Sequence, residues 1–178
     1  ILHYSLIENK SLRYDILFSG IIGASTLTMA WFVQTVLMYI DLPTGLFGVV
    51  WTVLNLVVGI AALYSDALSA RLGENRTYTL ILVFITGGYV ATSLNLTYAA
   101  LGVLFLFYIV RGFATPILKG YINRQTFSEM RATVLSIRNF IIRLIFAAMA
   151  PFIGWLNDCF SLAFALQITA LIIFIPGL

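Results

Sequence analysis

Apolar residues run along the chain in six long blocks, and short polar segments separate one block from the next. Each block approaches or exceeds the roughly 20 residues that an α-helix needs to cross the ~30 Å hydrocarbon core of a membrane. The separating segments hold turn-forming residues, as in Asp41-Leu42-Pro43-Thr44-Gly45. The pattern therefore predicts a single all-α integral membrane domain, 1–178, with six transmembrane helices. Their predicted positions are near residues 15–39, 46–64, 77–96, 99–118, 132–155 and 162–178.

Composition agrees with this pattern and excludes several other classes of protein. Hydrophobic residues make up 61% of the 178 residues and charged residues 10%, against roughly 45–50% and about 25% in soluble domains. Cys159 is the only cysteine, which excludes a disulfide scaffold. The net charge of +3 is scattered along an apolar chain, so we expect no nucleic-acid partner. The expected surroundings are instead a lipid bilayer.

The positions of the basic residues predict the orientation of the helices. The leading tail and the second and fourth separating segments hold seven of the ten Lys and Arg residues, and the first, third and fifth segments hold none. Because Lys and Arg in short loops stay on the cytoplasmic side, both chain ends are predicted to be cytoplasmic. We expect an integral protein of a bacterial inner (plasma) membrane. These seven residues are Lys10, Arg13, Arg71, Arg76, Lys119, Arg124 and Arg131.

Polar and small residues recur every three or four positions in the first, second, fourth and fifth predicted spans. This spacing places them on one face of each helix. Small residues in membrane helices usually serve close helix packing, whereas amides and guanidinium groups in hydrocarbon need a partner or water. The third and sixth spans carry no such stripe. Members of the stripes include Ser19, Gly23, Thr26, Gln34, Thr52, Asn55, Tyr108, Arg111, Thr115, Lys119, Asn139, Arg143, Ala147 and Gly154.

Three segments resemble the major facilitator superfamily. The stretch from Gly59 to Asp66, followed by Arg71 to Arg76, is similar to the loop signature of that family, in which Gly, Asp and basic residues surround a second Gly. The segment from Ile122 to Ser136 resembles the loop before the eleventh helix. Pro151 to Asp158 resembles the end of that helix. The resemblance covers essentially the whole chain.

This resemblance implies the C-terminal six-helix half of a transporter, built as a 3+3 inverted repeat. The exits of the second and fifth spans, at Asp66 and Asp158, each place Asp four residues after a small residue, as such a repeat would. The implied partner is the N-terminal half of the same polypeptide, and the implied function is secondary transport of a small solute by alternating access. The resemblance also implies a cytoplasmic gate loop whose charge contacts hold one state; simple helix capping is the alternative. Its residues are Asp66, Arg71, Gly73, Arg76 and Arg131.

Three arginines lie inside predicted spans, at depths estimated from a rise of ~1.5 Å per residue. Arg143 lies about 18 Å deep and is predicted to line a cavity or to form an interhelical contact. Arg138, about 10 Å deep, is expected to reach back to the headgroups, and Arg111, about 12 Å deep, fits either role. Arg111 and Arg143 suggest an anionic substrate. No Asp or Glu is predicted deep in a span. Asp15, Asp66 and Asp158 are expected at helix ends, and the other acidic residues lie in the leading tail or in loops.

The candidate substrate-binding or cavity-lining residues combine aromatic, amide and guanidinium groups on the four striped spans. Trp31 has a second interpretation as an interfacial anchor. The full set is Trp31, Gln34, Asn55, Tyr108, Arg111, Asn139 and Arg143.

An enzymatic function is not expected. His3 is the only histidine and lies in the leading tail, and no HExxH or GxSxG pattern is present. We accordingly expect no cofactor and no metal. A non-transporting structural or receptor-like membrane subunit is the alternative function, and a channel is a third.

Overall fold

The computed structural model describes residues 3–177, which are almost entirely helical and contain no strand. Short helical turns precede three of the α-helices: a π-helix at Tyr4–Glu8 and 3-10 turns at Thr44–Leu46 and Ser128–Met130. The α-helices of the described range are α1 (Lys10–Tyr39), α2 (Phe47–Leu63), α3 (Ser65–Leu72), α4 (Glu74–Leu94), α5 (Ala99–Arg124), α6 (Arg131–Cys159) and α7 (Leu162–Gly177).

Five of these helices are long and apolar enough to cross a membrane: α1, α2 with its preceding turn, α4, α5, and α6 with its preceding turn. The all-helical architecture expected from the sequence is therefore confirmed, and it fits a membrane protein. The predicted count of six spans depends on α7. This helix is apolar but has 16 residues, fewer than the roughly 20 that span a typical bilayer.

Several helices extend beyond the apolar blocks that predicted them. α1 begins at Lys10, where the Asn9 side chain accepts a hydrogen bond from the Leu12 amide at 3.0 Å, and α5 continues to Arg124. Hydropathy marks only the apolar part of a helix, whereas the backbone hydrogen bonds continue through polar turns. Asp15, expected at a helix end, consequently lies more than one turn inside α1 and is 3% exposed.

The second polar segment forms a helix, α3, where turn residues were expected. Asp66 lies in its first turn and Arg71 in its last, which places each charge favourably against the helix dipole. The helix ends at Gly73, whose φ of +75° suits a residue without a side chain. Gly73 also donates its amide to the Ser69 carbonyl at 3.1 Å. The predicted gate residues Asp66, Arg71 and Gly73 are thus held on a short helix and its terminating turn, whereas Arg76 lies in the first turn of α4.

The helices pack in three main pairs: α1 with α6, α2 with α5, and α4 with α7. α5 also contacts α1 and α4 and therefore joins the pairs into one bundle. Tyr89 on α4 is fully buried and donates its hydroxyl to the Ser25 carbonyl on α1 at 2.6 Å. α1 is mostly buried in this arrangement, whereas α2 and α6 leave most of their surface exposed.

Two glycines, Gly23 of the predicted stripes and Gly112 on α5, allow close contact between paired helices. A Cβ added at Gly112 on α5 would lie 2.7 Å from the Val58 carbonyl oxygen and 2.7 Å from the Cβ of Ala61 on α2. A Cβ added at Gly23 on α1 would lie 2.5 Å from Ile142 on α6. The packing interpretation of small stripe residues is therefore confirmed at Gly23, whereas a Cβ added at Gly154 would have nothing within 4 Å.

Candidate functional site

A continuous furrow follows the seam between α1 and α6. It consists of three adjoining clefts of about 620, 420 and 520 Å³. Trp31 and Phe146 border both the first and the second cleft, and Thr35 and Asn157 border both the second and the third. Along α1 the furrow reaches from Gly23 to Tyr39, about 24 Å at ~1.5 Å per residue. It therefore approaches the ~30 Å thickness of a membrane core.

The first cleft, called here the cationic cleft, gathers basic side chains from two helices. On α5, Arg111, Thr115 and Lys119 follow one another at intervals of four residues and so share a helix face. On α6, Arg138 and Arg143 face the same space. Within residues 3–177, no Asp or Glu lines the cleft. The remaining lining residues are Gly23, Thr26, Leu27, Trp31, Asn139, Ile142 and Phe146.

Arg138 is the most deeply placed of these basic residues, at 4% exposure. Its Nε donates to the Ser19 hydroxyl of α1 at 2.5 Å, and its Nη1 donates to the Asn139 side-chain oxygen at 3.1 Å. The expectation that Arg138 reaches the headgroups is therefore wrong. A hydroxyl on the neighbouring helix, which the pattern of α6 alone does not reveal, holds the guanidinium against the seam.

Arg111 is positioned by the aromatic side chain one turn earlier on α5. Its guanidinium carbon lies 5.2 Å from the centre of the Tyr108 ring, a cation–π distance. Tyr108 is buried and contacts Trp51 on α2, with 6.5 Å between ring centres. Tyr108 thus packs against Arg111 but does not itself line the cationic cleft.

An aromatic pair separates the cationic cleft from the second cleft. The ring centres of Trp31 and Phe146 are 6.2 Å apart, and the Trp31 side chain is 69% exposed. Beyond this pair the lining is mostly apolar, with Phe32 and Ala150 among its members, until it reaches Thr35 and Asn157. The character of the furrow therefore changes along its length from cationic to aromatic to weakly polar.

The cationic cleft brings together four of the seven residues predicted to line a cavity: Trp31, Arg111, Asn139 and Arg143. Gln34 and Asn55 are exposed on α1 and α2 but do not line the furrow. The Asn55 amide donates to the Trp51 carbonyl at 2.8 Å.

Eight of the twelve residues that line the cationic cleft were absent from the candidate set, among them Thr115, Lys119, Arg138 and Phe146. The i, i+4 spacing from Arg111 was a signal for the first two. Phe146 follows Arg143 by three residues, so the same helical spacing was a signal for it as well.

The predicted gate residues lie apart from the furrow. Asp66, Arg71, Arg76 and Arg131 are all exposed. Within the described part of the chain, none of the four forms an ion pair. Arg131 donates its Nε to the Thr126 carbonyl at 3.3 Å. Their gating role stays a prediction.

A second polar cluster, the Asp15 cluster of Asp15, Tyr78 and Gln125, joins three helices near the start of α1. The Tyr78 hydroxyl of α4 donates to Asp15 Oδ1, and the Gln125 amide at the end of α5 donates to Asp15 Oδ2, each at 2.5 Å. Both carboxylate oxygens therefore have a hydrogen-bond donor inside the chain. A cleft of about 900 Å³, which Glu74 also borders, adjoins this cluster.

Among residues 3–177, no group of three or more His, Cys, Asp or Glu side chains is placed to hold a metal ion. Comparison of the chain with protein-family models, with curated proteins and with solved structures gives no significant match. The candidate site is therefore argued from its own geometry.

Proposed function

We propose that this chain is one half of a secondary transporter of the major facilitator type, which moves a small solute across the membrane by alternating access. The observation that carries the proposal is the furrow, about 24 Å long, which runs between apolar helices and is lined by basic, amide, hydroxyl and aromatic groups. Such groups are expensive in hydrocarbon and in membrane proteins mark solute pathways. A second six-helix half would cover the furrow and complete the pathway.

The pairing of the helices supports this proposal. In a 3+3 inverted repeat, α1 would correspond to α5, α2 to α6 and α4 to α7, so the repeat would exchange the two members of each pair. The exchange converts the observed α1–α6 pair into the observed α2–α5 pair, and it converts the α4–α7 pair into itself. The three main helix pairs therefore map onto one another under this exchange, which is compatible with a 3+3 inverted repeat.

The exposed surfaces support a division between lipid-facing and partner-facing helices. α4 and α7 expose large apolar residues, among them Val83, Phe84, Leu171 and Ile175, which suit contact with lipid. α1 and α6 expose the polar and aromatic lining of the furrow in addition to apolar residues such as Phe140 and Leu144. The half that covers this lining is proposed to be the N-terminal half of the same polypeptide.

The positive-inside rule supplies the proposed orientation in a bacterial inner (plasma) membrane. The segment from Lys119 to Arg131 and the turn at Gly73 then lie at the cytoplasmic side, together with the proposed gate residues. The cationic cleft occupies the cytoplasmic half of the furrow in this orientation. Thr35 and Asn157 lie toward the outside. Arg111 and Arg143 suit an anionic solute.

Accessibility of single cysteines at the two ends of the furrow tests the proposal. In the full transporter with Cys159 replaced by Ser, the reporter substitutions are Asn139→Cys in the cationic cleft and Thr35→Cys near the other end. A membrane-impermeant maleimide is applied from one side at a time. We expect Asn139→Cys to react from the cytoplasmic side and Thr35→Cys from the outside. Leu171→Cys, on the exposed apolar surface of α7, is the matched control and should not react.

A locking step distinguishes alternating access from the other functions. A bulky maleimide attached at Asn139→Cys holds the cytoplasmic end open, so labelling of Thr35→Cys in the same molecule should fall at least fivefold. In a channel both sites would react independently of each other. In a structural or receptor-like subunit with a dry furrow neither site would react. Either of these results would contradict the proposal.

A further inference from the structure

The cationic cleft contains more positive charge than the chain neutralises. Arg111, Lys119, Arg138 and Arg143 all line it. Within residues 3–177, the only ion pair is between His3 and Glu8, in the leading segment far along the chain from these side chains. A guanidinium or ammonium group shielded from water is unfavourable unless an acceptor compensates it. Negative charge from another molecule, or from another part of the protein, would therefore complement the cleft.

Arg138 has two side-chain acceptors, the Ser19 hydroxyl and the Asn139 amide oxygen, and both are neutral. Within residues 3–177, no hydrogen bond is donated by the side chains of Lys119 or Arg143. Arg111 interacts with the neutral Tyr108 side chain, and a guanidinium has five N–H donors, so one such partner leaves others available. Three cationic groups thus offer free donors to one space of about 620 Å³.

The polarity of the furrow also sets the shape of a suitable ligand. Along α6, Arg138 and Arg143 come before Phe146, and Arg143 and Phe146 are about 4.5 Å apart along the helix axis. The Trp31–Phe146 pair lies at the boundary with the second, mostly apolar cleft. A ligand that fills both clefts therefore has anionic groups at one end and a flat apolar body at the other.

We infer that the solute is an organic anion with at least two negative charges at one end and an aromatic or similarly flat apolar body. The inference rests on the proposed transport function and names its substrate class. The charged end binds Arg111, Lys119 and Arg143, while Arg138, fixed on Ser19, adds positive potential from the seam. The apolar body stacks at Trp31 and Phe146. A single negative charge would leave at least two of the free cationic groups without a partner.

The polar far end of the furrow favours a soluble anion over an anionic lipid. Acyl chains would be best accommodated by a lining that stays apolar to its end. The second cleft instead ends at Thr35 and Asn157, and in the third cleft Ser161 and Tyr39 alternate with the apolar Met38, Phe160 and Leu162. A solute that enters from water and leaves into water is compatible with polar groups at both ends.

Three probes separate the two parts of the inferred ligand. Phenyl phosphate carries both the dianion and the ring, inorganic phosphate carries the anion alone, and benzyl alcohol carries the ring alone. Their binding to the full transporter in phosphatidylcholine nanodiscs is measured by isothermal titration calorimetry. We expect saturable binding of phenyl phosphate, at least tenfold weaker binding of inorganic phosphate, and no saturable binding of benzyl alcohol.

Two arginines on α5 provide a matched pair of variants. Arg111 and Arg124 each lie over the ring of the tyrosine three residues earlier, at 5.2 and 5.5 Å, but only Arg111 lines the cleft. Arg111→Gln should weaken binding of phenyl phosphate by about tenfold or more, since a charge-assisted contact is lost. Arg124→Gln should leave the affinity unchanged. An equal effect of both substitutions would overturn the site assignment.

Trp31→Leu tests the aromatic part of the site. It should weaken phenyl phosphate at least fivefold while leaving the affinity for inorganic phosphate unchanged. If both ligands lose affinity equally, the body of the solute does not stack at Trp31 and this part of the inference is wrong.

Two further outcomes would overturn the inference without deciding the transport function. One such outcome is failure of phenyl phosphate to bind while alternating cysteine accessibility is still observed. This result would indicate that carboxylates of the other half neutralise the positive charge of the cleft. If phosphatidylglycerol added to the nanodiscs abolishes binding, and Arg111→Gln removes that inhibition, the cleft binds a lipid headgroup. Loss of alternating accessibility together with retained binding of phenyl phosphate would instead contradict the proposed function alone.

Discussion

The Asp15 cluster and the cationic cleft both contact α1, yet their charges are satisfied in opposite ways. Asp15 is buried, and each of its carboxylate oxygens accepts a hydrogen bond from a neighbouring helix, one from Tyr78 and one from Gln125. In the cationic cleft, Lys119 and Arg143 have no side-chain acceptor within residues 3–177, and Arg111 contacts the neutral Tyr108 side chain.

The difference separates a structural polar group from a functional one. A buried charge whose acceptors or donors all come from the fold stabilises a particular helix arrangement, because moving any of those helices leaves the charge unpaired. A set of like charges with free donors adds nothing to the packing of the chain and instead specifies what must come from outside. Amino-acid composition alone does not show which charged groups are paired within the fold and which are not.

Removal of the Asp15 carboxylate should have the largest effect on stability. Asp15→Ala eliminates two charge-assisted hydrogen bonds and leaves the buried Tyr78 hydroxyl and the Gln125 amide without an acceptor. At about 1.5–3 kcal/mol for each such bond, the free energy of unfolding should fall by about 3 kcal/mol or more. Detergent-induced unfolding of the full transporter, followed by tryptophan fluorescence, measures the change.

Asp158→Ala is the control for this prediction, since Asp158 is also an aspartate on a long helix but is exposed. It should change the free energy of unfolding by no more than about 0.5 kcal/mol. Similar losses for the two variants would show that Asp15 is not a special structural contact.

A methyl group at the contact between α2 and α5 should have the next largest effect. Gly112→Ala places a Cβ 2.7 Å from the Val58 carbonyl oxygen, a backbone atom that cannot rotate away. Overpacking of this kind costs about 1–3 kcal/mol. Since Arg111 is the adjacent residue, binding in the cationic cleft should weaken as well.

Gly102→Ala on the same helix should have the opposite sign. Nothing lies within 4 Å of a Cβ added there, and Ala favours a helix over Gly by about 0.8–1.0 kcal/mol. A thermal unfolding scan of both variants checks the prediction. Equal destabilisation by the two alanines would contradict close packing at Gly112.

The long helices were predictable from the sequence, and their ends and the short helix α3 were not. An apolar run of about 20 residues in a membrane has few alternatives to a helix, because every backbone polar group must be satisfied internally. The start of α1 depends on the Asn9 cap, which hydropathy does not detect. α3 has only eight residues and a mixed composition, so no long apolar run indicated it.

Two of the four basic residues of the cationic cleft, Arg111 and Arg143, were predicted as candidate cavity residues, whereas Lys119 and Arg138 were not. Arg111, Asn139 and Arg143 stand out because charged and amide groups are rare in apolar spans. Phe146 does not stand out by polarity, although it lies on the same face. The contact between Arg138 and Ser19 joins residues 119 positions apart, and depth counted along a single helix cannot anticipate it.

Arg143→Ala should reduce transport without a comparable loss of stability. Arg143 is exposed in the cationic cleft, so its removal deletes a ligand contact and leaves no buried partner unsatisfied. Loss of one charge-assisted contact predicts about a tenfold lower initial rate at limiting solute, equivalent to about 1.4 kcal/mol. Uptake of the transported anion into proteoliposomes measures it, with Arg124→Ala as the basic control outside the cleft. Transport by Arg143→Ala at the wild-type rate would contradict a role for this residue.

The smallest predicted effect concerns Ser19, where the two kinds of polar environment meet. Ser19 is fully buried and accepts from Arg138, which also borders the cationic cleft. Ser19→Ala removes one acceptor, but the guanidinium keeps its bond to Asn139, and the free N–H can turn to water or to the anion in the cleft. The free energy of unfolding should therefore fall by only about 1 kcal/mol.

Ser136→Ala on α6 provides the comparison for Ser19→Ala. Its exposed hydroxyl donates to the Ala132 carbonyl of its own helix at 2.9 Å, so its loss should change stability by at most about 0.5 kcal/mol. The size of the Ser19→Ala effect then reports whether the cleft is hydrated. A loss of about 3 kcal/mol, as large as that expected for Asp15→Ala, would mean that Arg138 has no access to water or anions. The cationic cleft would in that case be a second closed structural cluster, and the contrast with the Asp15 cluster would not hold.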